Sequence, residues 1–208
     1  MIRVCVMGTI GSGKSFISKL FNYPVFNADK EVNNIYKNHK DCFIKLKKKI
    51  PKFIKSFPIR KSELKNAISA DSKNLKLISL IVHPIVRSNL RIFLQKEKNS
   101  KMIILDIPLL IENKLYVKGD VLIFVKASKS KVIDRIKKRR NYDKKIINKL
   151  NSNQTALLKK MKLANYIVDN NFSPNIMKKK IKKLRKRILD ERSSTWYRNN
   201  RFISKRWT

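Results

Sequence analysis

Acidic residues and cysteines are scarce in this sequence, and long apolar runs are missing. Against 51 Lys and Arg stand 14 Asp and Glu, so the 208 residues carry a formal net charge of +37. Two cysteines without a CxxC pair or metal-ligand spacing exclude a disulfide framework and favour a reducing compartment. No uninterrupted run of 18 apolar residues occurs, and the first apolar stretch already ends at Gly8. We therefore expect a soluble cytoplasmic protein with no membrane partner.

The excess of lysine has three candidate explanations: a nucleic-acid-binding surface, attraction of phosphorylated small molecules, or a lysine-rich source genome. The lysines are spread along the chain, as in FIKLKKKIPKFIK and NIMKKKIKKLRKR, and no recognised RNA or DNA motif accompanies them. This distribution favours the last two explanations, so no specific nucleic-acid partner is expected. Hydrophobic residues make up 42% of the chain and cluster, which predicts a folded core.

Glycine is also rare, yet three of the four glycines lie in the stretch GTIGSGKS at residues 8–15. An apolar strand pattern precedes this stretch and a helical pattern follows it, which is the setting of a phosphate-binding loop. Glycines let consecutive backbone N–H groups converge on a polyphosphate, Lys14 can reach the β and γ phosphates, and the Ser15 hydroxyl can ligate Mg²⁺. The predicted ATP-binding residues are Gly8, Gly11, Ser12, Gly13, Lys14, Ser15 and Phe16. For Phe16, packing beneath the helix is the alternative.

The apolar patterns predict an α/β fold: a parallel sheet of the phosphate-loop NTPase type, flanked by helices. Strand patterns occur at 2–7, 25–26, 102–106, 120–125 and 166–169. From 30 to 99 the apolar spacing is helical, and we expect Pro51, Pro58 and Pro84 to divide this insertion into several helices, one of them starting near Ser62. The predicted domains are a core at 1–29, 100–134 and 164–190, a helical substrate domain at 30–99, a helical lid at 135–163 and a basic tail at 191–208.

Two aspartates follow predicted strands at the sheet edge where ligands of open α/β sheets collect. Asp29 comes just after the second strand, where it can act as a general base or simply cap the following helix. Asp106 ends the strand at 102–106, as a Walker B aspartate does, and can hold Mg²⁺ directly or through water. A carboxylate in an ordinary strand-end turn is the alternative for Asp106.

The order of the motifs resembles dephospho-CoA kinase from Ile2 to about Leu184. After the phosphate loop come Asn27-Ala28-Asp29, then HPIVR at 83–87, PLLIEN at 108–113, Arg139 fifteen residues before Gln154, and Asp169-Asn170-Asn171. The resemblance implies transfer of the γ-phosphoryl group of ATP to the ribose 3′-hydroxyl of dephospho-CoA, the last step of coenzyme A synthesis. Its implied cofactors and substrates are ATP with Mg²⁺ and dephospho-CoA.

The resemblance also assigns roles to individual residues. It implies that Asp29 is the catalytic base and that Arg139 contacts the ATP phosphates from the lid, although a solvated basic face explains Arg139 and its neighbours too. It places Asn170 near adenine, with an ordinary polar turn as the alternative. It makes His83, Arg87 and Glu112 substrate-binding residues, although His83 can equally be a structural group and Glu112 can cap the next turn. The chain departs from the usual family pattern at Thr9, Phe16 and Asn27, where glycine, threonine and aspartate are more common.

Two other functions remain open at this point. A different phosphate-loop nucleoside or nucleotide kinase would share the core and lid but use another acceptor. A nucleic-acid-binding NTPase would fit the net charge and predicts hydrolysis stimulated by RNA or DNA. The expected assembly is a monomer or a weak homo-oligomer.

Overall fold

The computed structural model describes residues 1–108, 115–138 and 154–193, without the side chains of 154–157 and 193. Its contacts divide the chain into two compact units. The first unit contains Met1–Phe26 and resumes at Asn99, and the second unit is Asn27–Lys98. The second unit nearly coincides with the helical region predicted at 30–99. That this region binds the substrate stays a prediction.

The first unit is built on a five-stranded sheet with the strand order β2-β3-β1-β4-β5. β1 pairs in parallel with both β3 and β4, and β4 pairs in parallel with β5. Most residues of β1, β3 and β4 are buried, which explains why apolar residues dominate their sequences. The strands are β1 (Ile2–Gly8), β2 (Val25–Asn27), β3 (Met102–Asp106), β4 (Val121–Lys126) and β5 (Tyr166–Asp169).

Four described helices belong to this unit: α1 (Lys14–Leu20), α6 (Lys129–Lys137), α7 (Gln154–Leu163) and α8 (Pro174–Ser193). α8 is strongly basic, yet it buries one residue per turn, namely Met177, Ile181, Leu184 and Ile188. These side chains join Ile17 of α1 and Phe21, directly after α1, in a single core on the sheet. The lysines of α8 therefore lie on the side of an amphipathic helix that faces away from the core. The predicted α/β fold with its parallel sheet is confirmed.

The second unit consists of four helices: α2 (Ala28–Asn38), α3 (Lys40–Lys49), α4 (Lys61–Ala70) and α5 (Ser72–Lys96). Side chains cap three of them at their first turns, since Asn27 accepts from Lys30 N at 2.8 Å, His39 Nδ1 from Cys42 N at 3.1 Å and Asp71 from Lys73 N at 2.8 Å. Such caps satisfy backbone donors that a helix start leaves open. The helical insertion predicted for this region is confirmed.

Pro84 does not break a helix, so that part of the prediction is wrong. α5 continues through Pro84, which is exposed, while Ile78, Val82, Val86 and Leu90 are buried. An interior proline costs about 3 kcal/mol, whereas each buried aliphatic side chain contributes about 1.5–3 kcal/mol. Burial of four such side chains therefore outweighs the proline.

The other two prolines, Pro51 and Pro58, lie between α3 and α4 as expected. α4 starts one residue before the predicted Ser62, with Arg60 at its N-cap and Glu63 accepting from Arg60 N at 3.3 Å. Among the described residues, α5 is the one helix whose length and composition would suffice to cross a membrane, a property that it shares with core helices of soluble proteins.

Candidate active site

The phosphate loop connects the end of β1 to the start of α1. Gly8 and Gly13 have positive φ angles of 149° and 92°, which side chains rarely adopt. A Cβ atom at Gly8 would lie 2.5 Å from the Val125 carbonyl oxygen, and one at Gly13 would lie 2.4 Å from Asn170 Nδ2. Both positions therefore require glycine, for conformation and for space. The loop passes close to β4 on one side and to the residue that follows β5 on the other.

Polar groups of the phosphate loop form hydrogen bonds with one another. The buried Ser12 donates from its hydroxyl to the Thr9 carbonyl at 2.9 Å. Lys14 Nζ donates to the Gly8 and Thr9 carbonyls at 3.3 and 2.9 Å. The ammonium group thus lies against the loop itself, within the segment that is predicted to enclose the phosphates.

The two predicted metal ligands have oxygen donors suited to Mg²⁺. Ser15 is exposed in the first turn of α1, and Asp106 is 2% exposed at the end of β3, the neighbour of β1 in the sheet. In the described part of the chain, no group of three or more His, Cys, Asp or Glu residues could hold a metal ion. Kinase Mg²⁺ needs one or two protein ligands, because water and substrate phosphates supply the rest. The residues present therefore fit a magnesium–nucleotide complex.

Phe16 is half-buried and packs against the core of the sheet. Its side chain thus adopts the arrangement that was given as the packing alternative. A contact of Phe16 with the nucleotide stays a prediction.

Asn170 lies directly after β5 and is 3% exposed. Its side-chain Nδ2 donates to the Ser12 carbonyl at 2.8 Å, and its Oδ1 accepts from Phe172 N at 2.9 Å. Its backbone N–H donates to the Lys126 carbonyl, also at 2.8 Å. The structure therefore attaches Asn170 to the phosphate loop. The position of Asn170 near adenine stays a prediction.

No pattern in the sequence points to a role for Phe172 or for Arg135. Phe172 has a left-handed φ of 64°, and the Arg135 guanidinium carbon lies 4.5 Å from the centroid of its ring. A Cβ atom at Gly13 would lie 3.6 Å from the Phe172 ring. No local pattern could have revealed this contact, because α6, the loop after β5 and the phosphate loop meet only in the folded sheet.

Asp29 is exposed in the first turn of α2. The residue that caps α2 is Asn27, so the capping alternative for Asp29 is wrong. Asparagine and aspartate are both good helix caps, so Asn27 can cap α2 although aspartate is more common at this position in the family pattern. Asp29 stays the predicted base.

His83 and Arg87 lie one turn apart on α5, the first half-buried and the second exposed. Both line an open groove of about 740 Å³ along this helix. The groove also contains apolar side chains and two lysines, namely Leu75, Leu80, Pro84, Lys73 and Lys76. Such a surface combines cations for phosphate oxygens with an apolar area for uncharged parts of a ligand.

Some predictions concern residues outside the described ranges. Glu112 and Arg139 are not described, nor is most of the predicted lid and tail. Gln154 begins α7, but its side chain is not described.

The two cysteines are buried and are free thiols. Burial, together with the nearby Asp120 carboxylate, raises the pKa of Cys5 far above its ordinary value. Burial likewise raises the pKa of Cys42 to about 11, against the opposing effect of Lys45. Because the thiolate is the reactive form, neither cysteine is suited to nucleophilic chemistry.

Comparison with known proteins agrees with this geometry. A family model described as dephospho-CoA kinase matches residues 2–175. The dephospho-CoA kinase of Wolbachia pipientis wMel is 31% identical over 184 residues, which are 86% of this chain and 94% of the relative. The one from the Wolbachia of Brugia malayi is 32% identical over 171 residues, covering 80% and 87%.

Two solved structures share the fold. One from Thermus thermophilus has a TM-score of 0.74 at 24% identity and covers 91% of this chain and 97% of its own. The dephospho-CoA kinase from Campylobacter jejuni has a TM-score of 0.68 at 20% identity, with coverage of 91% and 98%. At these identities the likeness concerns the fold alone.

Proposed function

The chain belongs to the dephospho-CoA kinase family, and we propose how its own residues divide the work of the family reaction. The enzyme transfers the γ-phosphoryl group of ATP to dephospho-CoA, which yields coenzyme A and ADP. The observation that carries the assignment to individual residues is the phosphate loop, with glycines at positions that admit no side chain.

On the donor side, the loop at 8–15 binds the ATP phosphates through backbone N–H groups and through Lys14. In the structure the Lys14 ammonium bonds to loop carbonyls, so binding of ATP exchanges these contacts for contacts with phosphate oxygens. Mg²⁺ would be held by Ser15 and, directly or through water, by Asp106, and would neutralise charge on the phosphates. The loop and Lys14 position the γ-phosphoryl group of ATP in line with the attacking oxygen.

On the acceptor side, Asp29 accepts the proton of the ribose 3′-hydroxyl. The hydroxyl oxygen attacks the γ-phosphorus, the bond between that phosphorus and the β-phosphate oxygen breaks, and ADP leaves with the electron pair. Support for Asp29 comes from its exposure in the first turn of α2 and from its place just after β2.

His83 and Arg87 bind dephospho-CoA along the groove of α5. Arg87 is exposed and its guanidinium suits phosphate oxygens, while the half-buried His83 can direct a ring nitrogen to the substrate. Glu112 as a further substrate ligand and Arg139 as a phosphate contact rest on the family pattern of the sequence alone.

A direct assay tests the reaction. The purified protein is incubated with ATP, Mg²⁺ and dephospho-CoA, and the product is identified by mass spectrometry. We expect coenzyme A, formed by wild-type protein and lost in Lys14→Ala. A panel of nucleosides and nucleotides as acceptors tests the closest competing function, and preference for one of them would overturn the assignment of the acceptor.

The net charge of +37 gives the one specific reason to consider a nucleic-acid-binding NTPase. That function predicts ATP hydrolysis stimulated by RNA or DNA, whereas we expect little hydrolysis unless a hydroxyl acceptor is added. We further propose a cytoplasmic monomer or weak homo-oligomer, which sedimentation of the purified protein would test.

A further inference from the structure

We propose that Asn170 is a positioning residue, which fixes the peptide between Ser12 and Gly13 so that the phosphate loop is ready to bind phosphates. This inference rests on the proposed use of the loop for ATP. It assigns to Asn170 a task that differs from a contact with the nucleobase, and it links the loop after β5 to the affinity for phosphate.

The orientation of the Asn170 amide is determined by its two partners. The Ser12 carbonyl can only accept, so the atom 2.8 Å from it must be the NH₂ group. The Phe172 N–H can only donate, so the atom 2.9 Å from it must be the amide oxygen. Both ends of the amide are therefore engaged by backbone, and its rotation would break two hydrogen bonds in a buried place.

Because the peptide group is planar, the hydrogen bond to the Ser12 carbonyl also sets the direction of the Gly13 N–H. In a trans peptide the C=O and N–H groups point in opposite directions. A donor that holds the Ser12 carbonyl on the Asn170 side therefore directs the Gly13 N–H away from Asn170. Gly13 has a left-handed backbone and begins the turn into α1, so a rotated peptide at this point would move the donors that follow it.

The backbone of Asn170 is itself held in place. Its N–H donates to the Lys126 carbonyl at the end of β4, at 2.8 Å, and the preceding residue pairs with Lys126 in the sheet. The amide that bonds to the loop is thus supported by two strands. Asn170 can approach the loop closely because Gly13 has no side chain: a Cβ atom there would lie only 2.4 Å from Asn170 Nδ2.

A ligand that has phosphates but no nucleobase distinguishes positioning of the phosphate loop from recognition of adenine. We would titrate inorganic tripolyphosphate with Mg²⁺ into wild-type protein and Asn170→Ala by calorimetry at physiological salt, and measure KM for ATP and for dephospho-CoA. We expect Asn170→Ala to lower the affinity for tripolyphosphate about tenfold, which is the order of one lost buried hydrogen bond, and to raise KM for ATP by the same factor. KM for dephospho-CoA should not change.

Asn171 supplies matched controls, because it is exposed and its side chain accepts from Ser173 N, away from the loop. Asn171→Ala should leave the affinity for tripolyphosphate within about twofold of wild type. Asn170→Asp keeps the acceptor for Phe172 N but loses the donor, so it serves where Asn170→Ala fails to fold. Asn171→Asp measures the effect of the added charge alone, and we expect a clearly larger loss for Asn170→Asp.

The outcomes separate the possibilities. If Asn170→Ala raises KM for ATP but leaves the affinity for tripolyphosphate unchanged, Asn170 contacts the nucleobase and the proposal is wrong. Equal losses at positions 170 and 171 would also overturn it. Since the titration needs no acceptor, an error in the assigned acceptor would appear in the kinase assay and not here.

Discussion

The guanidinium of Arg135 lies over the ring of Phe172, 4.5 Å from its centroid. Arg135 is in the last turn of α6, and Phe172 belongs to the loop between β5 and α8. This contact joins the helix after β4 to the loop after β5, next to the Gly13 end of the phosphate loop.

Replacement of Phe172 tests that contact. Phe172→Leu removes the π system but keeps an apolar side chain, and since Arg135 is exposed we expect a loss of about 0.5–1 kcal/mol in the free energy of unfolding. Phe172→Tyr retains the ring and should be close to wild type. Urea denaturation provides the measurement, and identical stabilities of the two variants would show that the cation–π contact contributes nothing.

Lys14→Ala and Asp29→Asn should impair the kinase differently. Loss of Lys14 removes a phosphate contact and should weaken ATP binding, whereas Asp29→Asn should spare ATP binding and lower kcat about 10²–10⁴-fold, the usual effect of a general base. Asp41→Asn is a matched control, because Asp41 occupies the same position in α3 that Asp29 occupies in α2. A near-normal kcat for Asp29→Asn would remove Asp29 from the mechanism.

Two adjacent arginines of the predicted lid test its role in transfer. Arg139→Ala should lower kcat at least about tenfold, because a cation that contacts the moving phosphoryl group stabilises the transition state. Arg140→Ala should have a much smaller effect. Steady-state kinetics of both variants decide the matter, and equal small effects would assign both residues to a solvated basic face.

Two ion pairs of different burial should differ in their contribution to stability. Arg3 Nε lies 3.1 Å from Asp120 Oδ1, with side chains 20% and 2% exposed, while Lys126 and Asp169 pair at 3.9 Å with 58% and 49% exposed. Asp120→Asn leaves a largely buried guanidinium without its counter-charge, at a cost of about 3 kcal/mol. Asp169→Asn should cost less than about 1 kcal/mol. Chemical denaturation of both variants compares them, and a cost at Asp120 no larger than at Asp169 would contradict the argument.

The acid side of the stability curve should depend on Glu63. Burial works in the opposite direction, but hydrogen bonds from the backbone of Arg60, Lys55 and Ser56 and from the Ser56 hydroxyl lower the pKa of Glu63 below 4.5. The folded state therefore binds this proton less readily than the unfolded state. Its stabilising contribution is present above the ordinary value of 4.5 and is lost as the pH falls through the lowered pKa.

Glu63→Gln measures that contribution. The difference in free energy of unfolding between wild type and Glu63→Gln should be largest near neutral pH and should shrink as the solution is acidified. Denaturation curves at several pH values provide the test. A difference that stays constant across the acid range would mean that ionisation of Glu63 does not stabilise the fold.

Local patterns in the sequence determined most of the architecture. Buried parallel strands must be continuous apolar runs, and the loop that follows β1 must have glycine where side chains would collide, so both features are visible without coordinates. The same holds for the helical insertion, whose apolar period is local. The helix break predicted at Pro84 is wrong because the burial of side chains against neighbouring helices outweighs the cost of an interior proline.

The contacts of the site were decided by tertiary structure. Asn170 and Ser12 are separated by 158 positions, and the sequence cannot say which strand ends at which distance from the loop. That distance follows from the strand order β2-β3-β1-β4-β5, which sets β5 two strands away from β1 and brings Asn170 back to the phosphate loop. Residue type thus indicated that the chain binds phosphate, while the order of the strands determined which amide holds the loop in shape.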